Sequence, residues 1–142
     1  MTIEQKKAWL YRYQNSLRRQ KIILLQIEDA RSRATSVQSA PGGVRAAYTG
    51  AHSDRVANAV QRLDELQRAY DAEVAQGYQI YAEIQTAIEA LPDIMQTMAV
   101  YYRYLHGMKI DLVCVKLERS ESTVRKLLAA ALDALEVPEI TQ

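Results

Sequence analysis

LERSESTVRKLLAAALDALE, residues 117–136, opens on serines and charges and closes on a run of Leu and Ala. Ser120 suits an N-cap, because its hydroxyl can accept from the free amides of a first helical turn. Val124, Leu127, Leu128, Ala131, Leu132 and Leu135 then recur at steps of three and four, which places them on one face of a helix. Upstream, Ile110, Val113, Cys114 and Leu117 have the i, i+3, i+4, i+7 spacing of a shorter helix over about 109–117. The tight turn "ERS" joins the two. A short helix, a turn of about three residues and a Ser-capped helix are the parts of a helix-turn-helix. A third helix is predicted just before them, over about 93–106, with Met95, Met98, Tyr102 and Leu105 inward. "HGM" ends it, with Gly107 suited to the left-handed C-cap.

The rest of the chain has a longer rhythm. Residues 3–34 hold no Gly or Pro, and Leu10, Tyr13, Leu17, Leu24 and Ile27 fall on one stripe with Gln20 in its middle. A continuous helix there is about 48 Å long at about 1.5 Å per residue. Pro41, Gly42, Gly43 and Gly50 then break the pattern, so 35–53 reads as a long, mobile loop. Ser53 or Asp54 is the expected N-cap of the second long helix, 54–91. Its seam is Val60, Leu63, Tyr70, Val74, Tyr81, Ile84, Ile88 and Leu91, with Gln67 and Gly77 in register. Pro92 ends the run. The predicted fold class is therefore all-α. A long antiparallel helical hairpin over 1–91 serves oligomerisation, and a three-helix lobe over 92–142 follows it.

Composition narrows the classes. Of 142 residues, 49% are hydrophobic and 25% charged, the balance of a folded, soluble domain. The N-terminus MTIEQKKAWLYRYQ lacks the apolar core of a signal peptide, and no run approaches a membrane span, so no membrane partner is expected. One cysteine, Cys114, allows no internal disulfide, so a reducing, cytoplasmic setting is expected. His52 and His106 lack Cys, His or carboxylate partners at metal-ligand spacing, and no Gly-rich phosphate cradle occurs. Hence no enzyme activity, metal or cofactor is expected. Cys114 reads as a packing residue.

The formal charge of +1 hides an uneven layout. Residues 1–34 carry eight Lys/Arg against three acids, and residues 53–93 carry three Arg against eight acids. A basic N-terminal segment can bind nucleic acid. The matched magnitudes favour the alternative, in which it pairs with the acidic segment.

In a helix-turn-helix the first turns of the second helix enter the major groove. Arg119, Ser122, Thr123, Arg125 and Lys126 are therefore the candidate DNA contacts, since Arg and Lys reach guanine acceptors or phosphates. The bland alternative is a three-helix cap with a solvated face, because residues 94–142 carry six bases and six acids.

The elements Leu91 and Pro92, Arg103-Tyr104 with Gly107, the 110–117 helix, and Ser120 with Thr123-Val124 resemble region 4 of bacterial sigma factors. "RSRATSVQSAPGG" and "SDRVANAVQRLDEL" are similar to a block in small phage proteins of Gram-positive hosts. Those proteins join a long helical N-terminal part to a sigma-like helix-turn-helix, and are related to phage late-operon regulators of the RinA and ArpU type. The resemblance runs from about Arg31 to Glu136. It implies double-stranded DNA as a partner, with RNA polymerase as a further one. Three positions depart from the region 4 pattern. Leu112 stands for an acidic residue, Cys114 for an alanine, and Glu118 for a turn glycine. Glu118 loses the easy left-handed turn and adds negative charge near the DNA-facing side.

Three functions follow. The first is a phage transcriptional regulator that binds promoter DNA through the C-terminal lobe and forms a homo-oligomer through the hairpin. The second is a small terminase subunit, which also joins a helix-turn-helix to an oligomerising part, with the DNA-binding lobe usually N-terminal. The third is a sigma-like interaction protein that contacts RNA polymerase without gripping DNA alone.

Overall fold

The computed structural model describes residues 1–38 and 50–139, with side chains except at 36–38 and 50–52. Every regular element among them is helical: α1 (Ile3–Gln38), α2 (Gly50–Glu89), α3 (Ile94–Val100) continued by a π-helical turn (Tyr101–Leu105), α4 (Ile110–Leu117) and α5 (Glu121–Ala134). The all-α class, the long helix pair and the C-terminal helical lobe are as the periodicity predicts. The ends differ. α1 runs four residues past 34, and α2 begins at Gly50, so Ser53 and Asp54 lie inside a helix instead of capping it. Ala, Gln and Arg around these ends favour helix enough to extend it through Thr and Ser. What remains of the predicted loop, 39–49, lies outside the described residues.

Two compact units divide the chain: Met1–Leu17 with Gln76–Gln142, and Arg18–Ala75. This division does not follow the expected boundary at Leu91 and Pro92. The reason is the core of the first unit. Trp9 and Leu10 of α1 and Ile80, Ile84, Ala87 and Ile88 of α2 are buried in one cluster with Val113, Val124, Leu128 and Leu132 of the lobe. The ends of the long helices thus supply the floor on which the lobe packs. A lobe of about fifty residues on its own would bury too little apolar surface to be comfortably stable.

Polar contacts within this unit satisfy the helix ends. The last carbonyls of a helix lack intrahelical donors. The Gln14 side-chain amide donates to Tyr104 O at 3.1 Å and Leu105 O at 3.0 Å, which caps the π-helical turn. Lys6 Nζ donates to Leu132 O at 2.8 Å and Asp133 O at 3.3 Å near the end of α5. Asp93 caps α3, its carboxylate accepting from Met95 N at 3.0 Å. Arg12 pairs with Glu83 at 2.7 Å. The Arg12 guanidinium also lies 4.9 Å from the Trp9 ring.

The single helix expected over 93–106 is instead an α-helix followed by a π-turn. His106 N donates to Tyr101 O at 3.0 Å, an i to i+5 bond. The wider turn advances the side chains, and Tyr104 and Leu105 are both buried, while Met95, Met98 and Tyr102 are half-buried. Tyrosines line the contact with the long helices. Tyr11 meets Tyr104 edge-on at 5.1 Å, and Tyr13 meets Tyr81 at 5.1 Å. The Tyr81 and Tyr101 hydroxyls hydrogen-bond, and this bond, with burial, pushes the Tyr81 phenol up to about 12. Tyr81 therefore stays neutral well into alkaline solution.

In the second unit α1 and α2 pack with Ile27 and Leu66 buried between them. Arg19 pairs with Glu73 at 2.8 Å. Basic α1 meets acidic α2 at Arg12–Glu83 and Arg19–Glu73, as the charge layout predicts, whereas Lys7, Arg33, Arg62 and Arg68 pair within their own helices. The seam is only partly right. Leu17, Leu24 and Val60 are exposed, and Leu66 and Ile80, off the predicted stripe, are buried. A stripe at steps of three and four drifts around an α-helix by about 20° per heptad, so one register cannot hold over 36 residues. Gln67 donates to Asp71 of its own helix at 3.1 Å.

Gly107 sits at φ +67, and a Cβ there would lie 2.7 Å from Gln14 Oε1. Gly107→Ala is therefore expected to lower the unfolding free energy by about 1–2 kcal/mol from backbone strain alone, and by more where Gln14 is displaced from its carbonyls. Urea denaturation of the two proteins measures this.

Candidate nucleic-acid interface

The turn between α4 and α5 is built by helix-end hydrogen bonds. Glu118 adopts the left-handed conformation, φ 54 and ψ 47. Arg119 N donates to Cys114 O at 3.2 Å and Glu118 N to Val115 O at 3.3 Å. These are the paired 6→1 and 5→2 bonds of a Schellman C-cap. Glu118 thus makes the left-handed turn without the ease that a glycine would give it. The two hydrogen bonds and the burial of Leu117 and Val124 on either side outweigh the steric cost of about 1–2 kcal/mol for a non-glycine residue there.

Ser120 is the N-cap of α5, as expected. Its Oγ accepts from Thr123 N at 3.3 Å and lies 3.0 Å from Thr123 Oγ1. Val124, Leu128, Ala131 and Leu132 face the core, with Leu127 half-buried beside them. On α4, Val113 and Leu117 are buried. Ile110 and Cys114 are half-buried against the same core, which gives Cys114 the packing position expected of it.

The five candidate contacts do not form one face. Ser122 and Lys126 are exposed and one turn apart, on the side of α5 away from the core. Thr123 is exposed, but its hydroxyl is engaged with the cap. Arg119 folds back over its own turn, donating to Glu118 O at 3.1 Å and Leu117 O at 3.4 Å. Arg125 lies about 100° around the helix from Lys126. Its Nε and Nη2 both donate to Glu121 Oε1, at 3.0 and 2.7 Å. An exposed pair of this kind contributes at most about 1 kcal/mol, so a phosphate could take Arg125 from Glu121. The free amides at the start of α5 add partial positive charge beside Ser122.

Sequence reading picked out Arg103, Tyr104 and Gly107 but missed that they, with Gln14, hold this geometry from outside it. Arg103 donates to Met108 O at 2.9 Å, which closes the connection into α4, and its Nη2 lies 3.3 Å from the Tyr11 hydroxyl. Met108 N donates to Tyr102 O at 3.0 Å. Arg103, Tyr104 and Gly107 are thus all framework, and their grouping in the sequence was the signal. Gln14 carried none, since a glutamine on a helix looks like any solvated residue.

With this geometry in place, similarity can be assigned. Residues 81–135 match the family model Sigma-70, region 4. No curated protein and no solved structure matches the chain. The C-terminal lobe is a sigma-region-4-like helix-turn-helix. The match begins at Tyr81, inside α2, ten residues before Leu91, and so includes the buried Ile84, Ala87 and Ile88 that carry the lobe. Among the described residues no helix is long and apolar enough to cross a membrane.

Glu118→Gly relieves the left-handed strain and adds chain entropy to the unfolded state. The balance is a gain of about 0.5–1 kcal/mol. A higher denaturation midpoint at unchanged slope would match this. An unchanged or lower midpoint would mean that the αL turn carries no strain.

Proposed function

We propose that this chain is a phage-encoded transcriptional regulator that binds duplex DNA through α5 and self-associates through its long helices. The observation that carries the first half is the Ser120-capped α5 of a sigma-region-4-like lobe, with Ser122 and Lys126 exposed on its outward face. A helix held this way enters a major groove by its first turns, where Lys126 meets phosphate or guanine and Ser122 a base edge or phosphate. Arg125 joins by leaving Glu121. Arg119 and Thr123 position the turn and the cap. The phage assignment rests on the resemblance of 31–136 to small phage regulators.

The test is anisotropy of labelled duplexes from the operon encoding the chain, across a salt series. Lys126→Ala should weaken all sequences alike and lower the salt slope by about one. Ser122→Ala should relax preference at one position, with helical content unchanged. A Ser122→Ala/Lys126→Ala variant that binds like wild type would remove α5 as reader. The sigma-like interaction protein would then be the better reading. One observation favours it: Leu112 and Val115, on the outer face of α4, are 45% and 70% exposed. That is an apolar pair where a DNA-facing helix usually carries polar groups, and it suits a protein partner such as RNA polymerase.

Self-association is supported by the second unit. Ile22, Leu24, Leu25 and Val60 are exposed there, because two helices cannot cover more than one face of each other. Light scattering should report more than one chain for wild type and a smaller mass for Ile22→Lys/Leu25→Lys. One chain in both would remove the oligomer.

A further inference from the structure

The first unit contains a cavity of about 320 Å³ that the DNA-binding reading does not use. It lies between the first turns of α1, the Arg103 segment and the outer flank of α5. Its apolar lining includes Ile3, Ile110 and Leu128, and its charged lining is Lys7, Arg103 and Arg125 against the single carboxylate of Asp133. Apolar side chains on one part of the lining and charged groups on the other suit a small ligand that has both characters. Three of the four charged groups in the lining are cations, and an anion that displaces Glu4 from Lys7 and Glu121 from Arg125 finds them on one side of it.

We propose that this cavity binds a small amphipathic anion, an apolar ring or chain carrying one carboxylate or phosphate group. Its apolar part lies against Ile110 and Leu128, and its anionic head meets Lys7 and Arg125. Both cations are held only by exposed neighbours one turn away, Lys7 by Glu4 at 3.5 Å and Arg125 by Glu121 at 2.7 Å. Such pairs are weak and exchangeable. Arg103 is the fixed wall, since its guanidinium is tied to Met108 O and the Tyr11 hydroxyl. Binding holds Arg125 on the α1 side of α5, where it lines the cavity, and keeps it from joining the groove-facing side. The ligand therefore opposes DNA binding, a consequence that rests on the function proposed above, whereas the site itself does not.

The test uses the full chain and 4-phenylbutyrate, with neutral 4-phenylbutanol and a short acidic-apolar peptide as comparisons. Methyl resonances of Ile3, Ile110 and Leu128 should shift saturably with phenylbutyrate, with an affinity at least about fivefold tighter than for the alcohol. Ala129→Trp fills the cavity from an exposed position and should abolish the shifts, and Lys7→Glu should weaken them. Circular dichroism identifies any variant that fails to fold, and Lys7→Glu decides if Ala129→Trp does. No shifts with phenylbutyrate, equal binding of acid and alcohol, or shifts unchanged in a folded variant would overturn the site. Shifts with the peptide alone would make the cavity a protein-docking groove and overturn it as well. With the site established, saturating phenylbutyrate should lower DNA affinity by about fivefold, the coupling expected from one lost contact. Shifts without any effect on DNA would overturn only the coupling, and leave the site standing.

Discussion

The first turns of α1 form the constraint on which the rest of this structure depends. A helix-turn-helix lobe is short, and the last carbonyls of its helices lack intrahelical donors. Lys6 donates to the last carbonyls of α5, and Gln14 to those of the π-turn that leads into α4. Between them, Trp9 and Leu10 enter the shared core. One helix face thus supplies both the missing apolar surface and the missing donors. The lobe is therefore anchored by a segment 90 to 127 residues away in sequence.

That anchoring explains several local choices. Gly107 is glycine because Gln14 occupies the space a Cβ would need and because the chain turns at positive φ. Tyr104 is buried under Tyr11, and Arg103 reaches the Tyr11 hydroxyl. The residues that resemble the region 4 pattern before the turn thus serve packing and closure, and the surface available to a nucleic acid is left to Ser122, Lys126 and their neighbours. Glu118 shows the same logic from the other side. A good Schellman cap and two buried flanking side chains hold a glutamate in a conformation it disfavours.

Electrostatics follow a similar division. The basic and acidic long helices meet at Arg12–Glu83 and Arg19–Glu73, while Lys7, Arg33, Arg62 and Arg68 pair with acids of their own helices. The lobe has no excess of positive charge, and Arg125 is balanced by Glu121. Affinity for a polyanion therefore rests on a few side chains and on the start of α5, and exchange of Arg125 between partners is a natural point of control.

Local pattern alone determined much of this molecule. The helix spacing in 110–117 and 121–134, the cap at Ser120 and the end at Gly107 are nearest-neighbour properties, and a sequence displays them directly. The long helices were equally legible over most of their length, because no proline interrupts their 36 and 40 residues. What the sequence did not determine is set by contacts between distant residues. The π-turn, the burial of Leu66 and Ile80 in place of the drifting stripe, and the separation of Arg125 from Lys126 all depend on what each helix meets. The join of the long helices to the lobe was hidden for the same reason. Pro92 breaks the helix and so looks like a boundary, yet backbone punctuation says nothing about where side chains on either side of it pack. Only the tertiary structure brings Trp9 and Leu10 into one core with Val124 and Leu132.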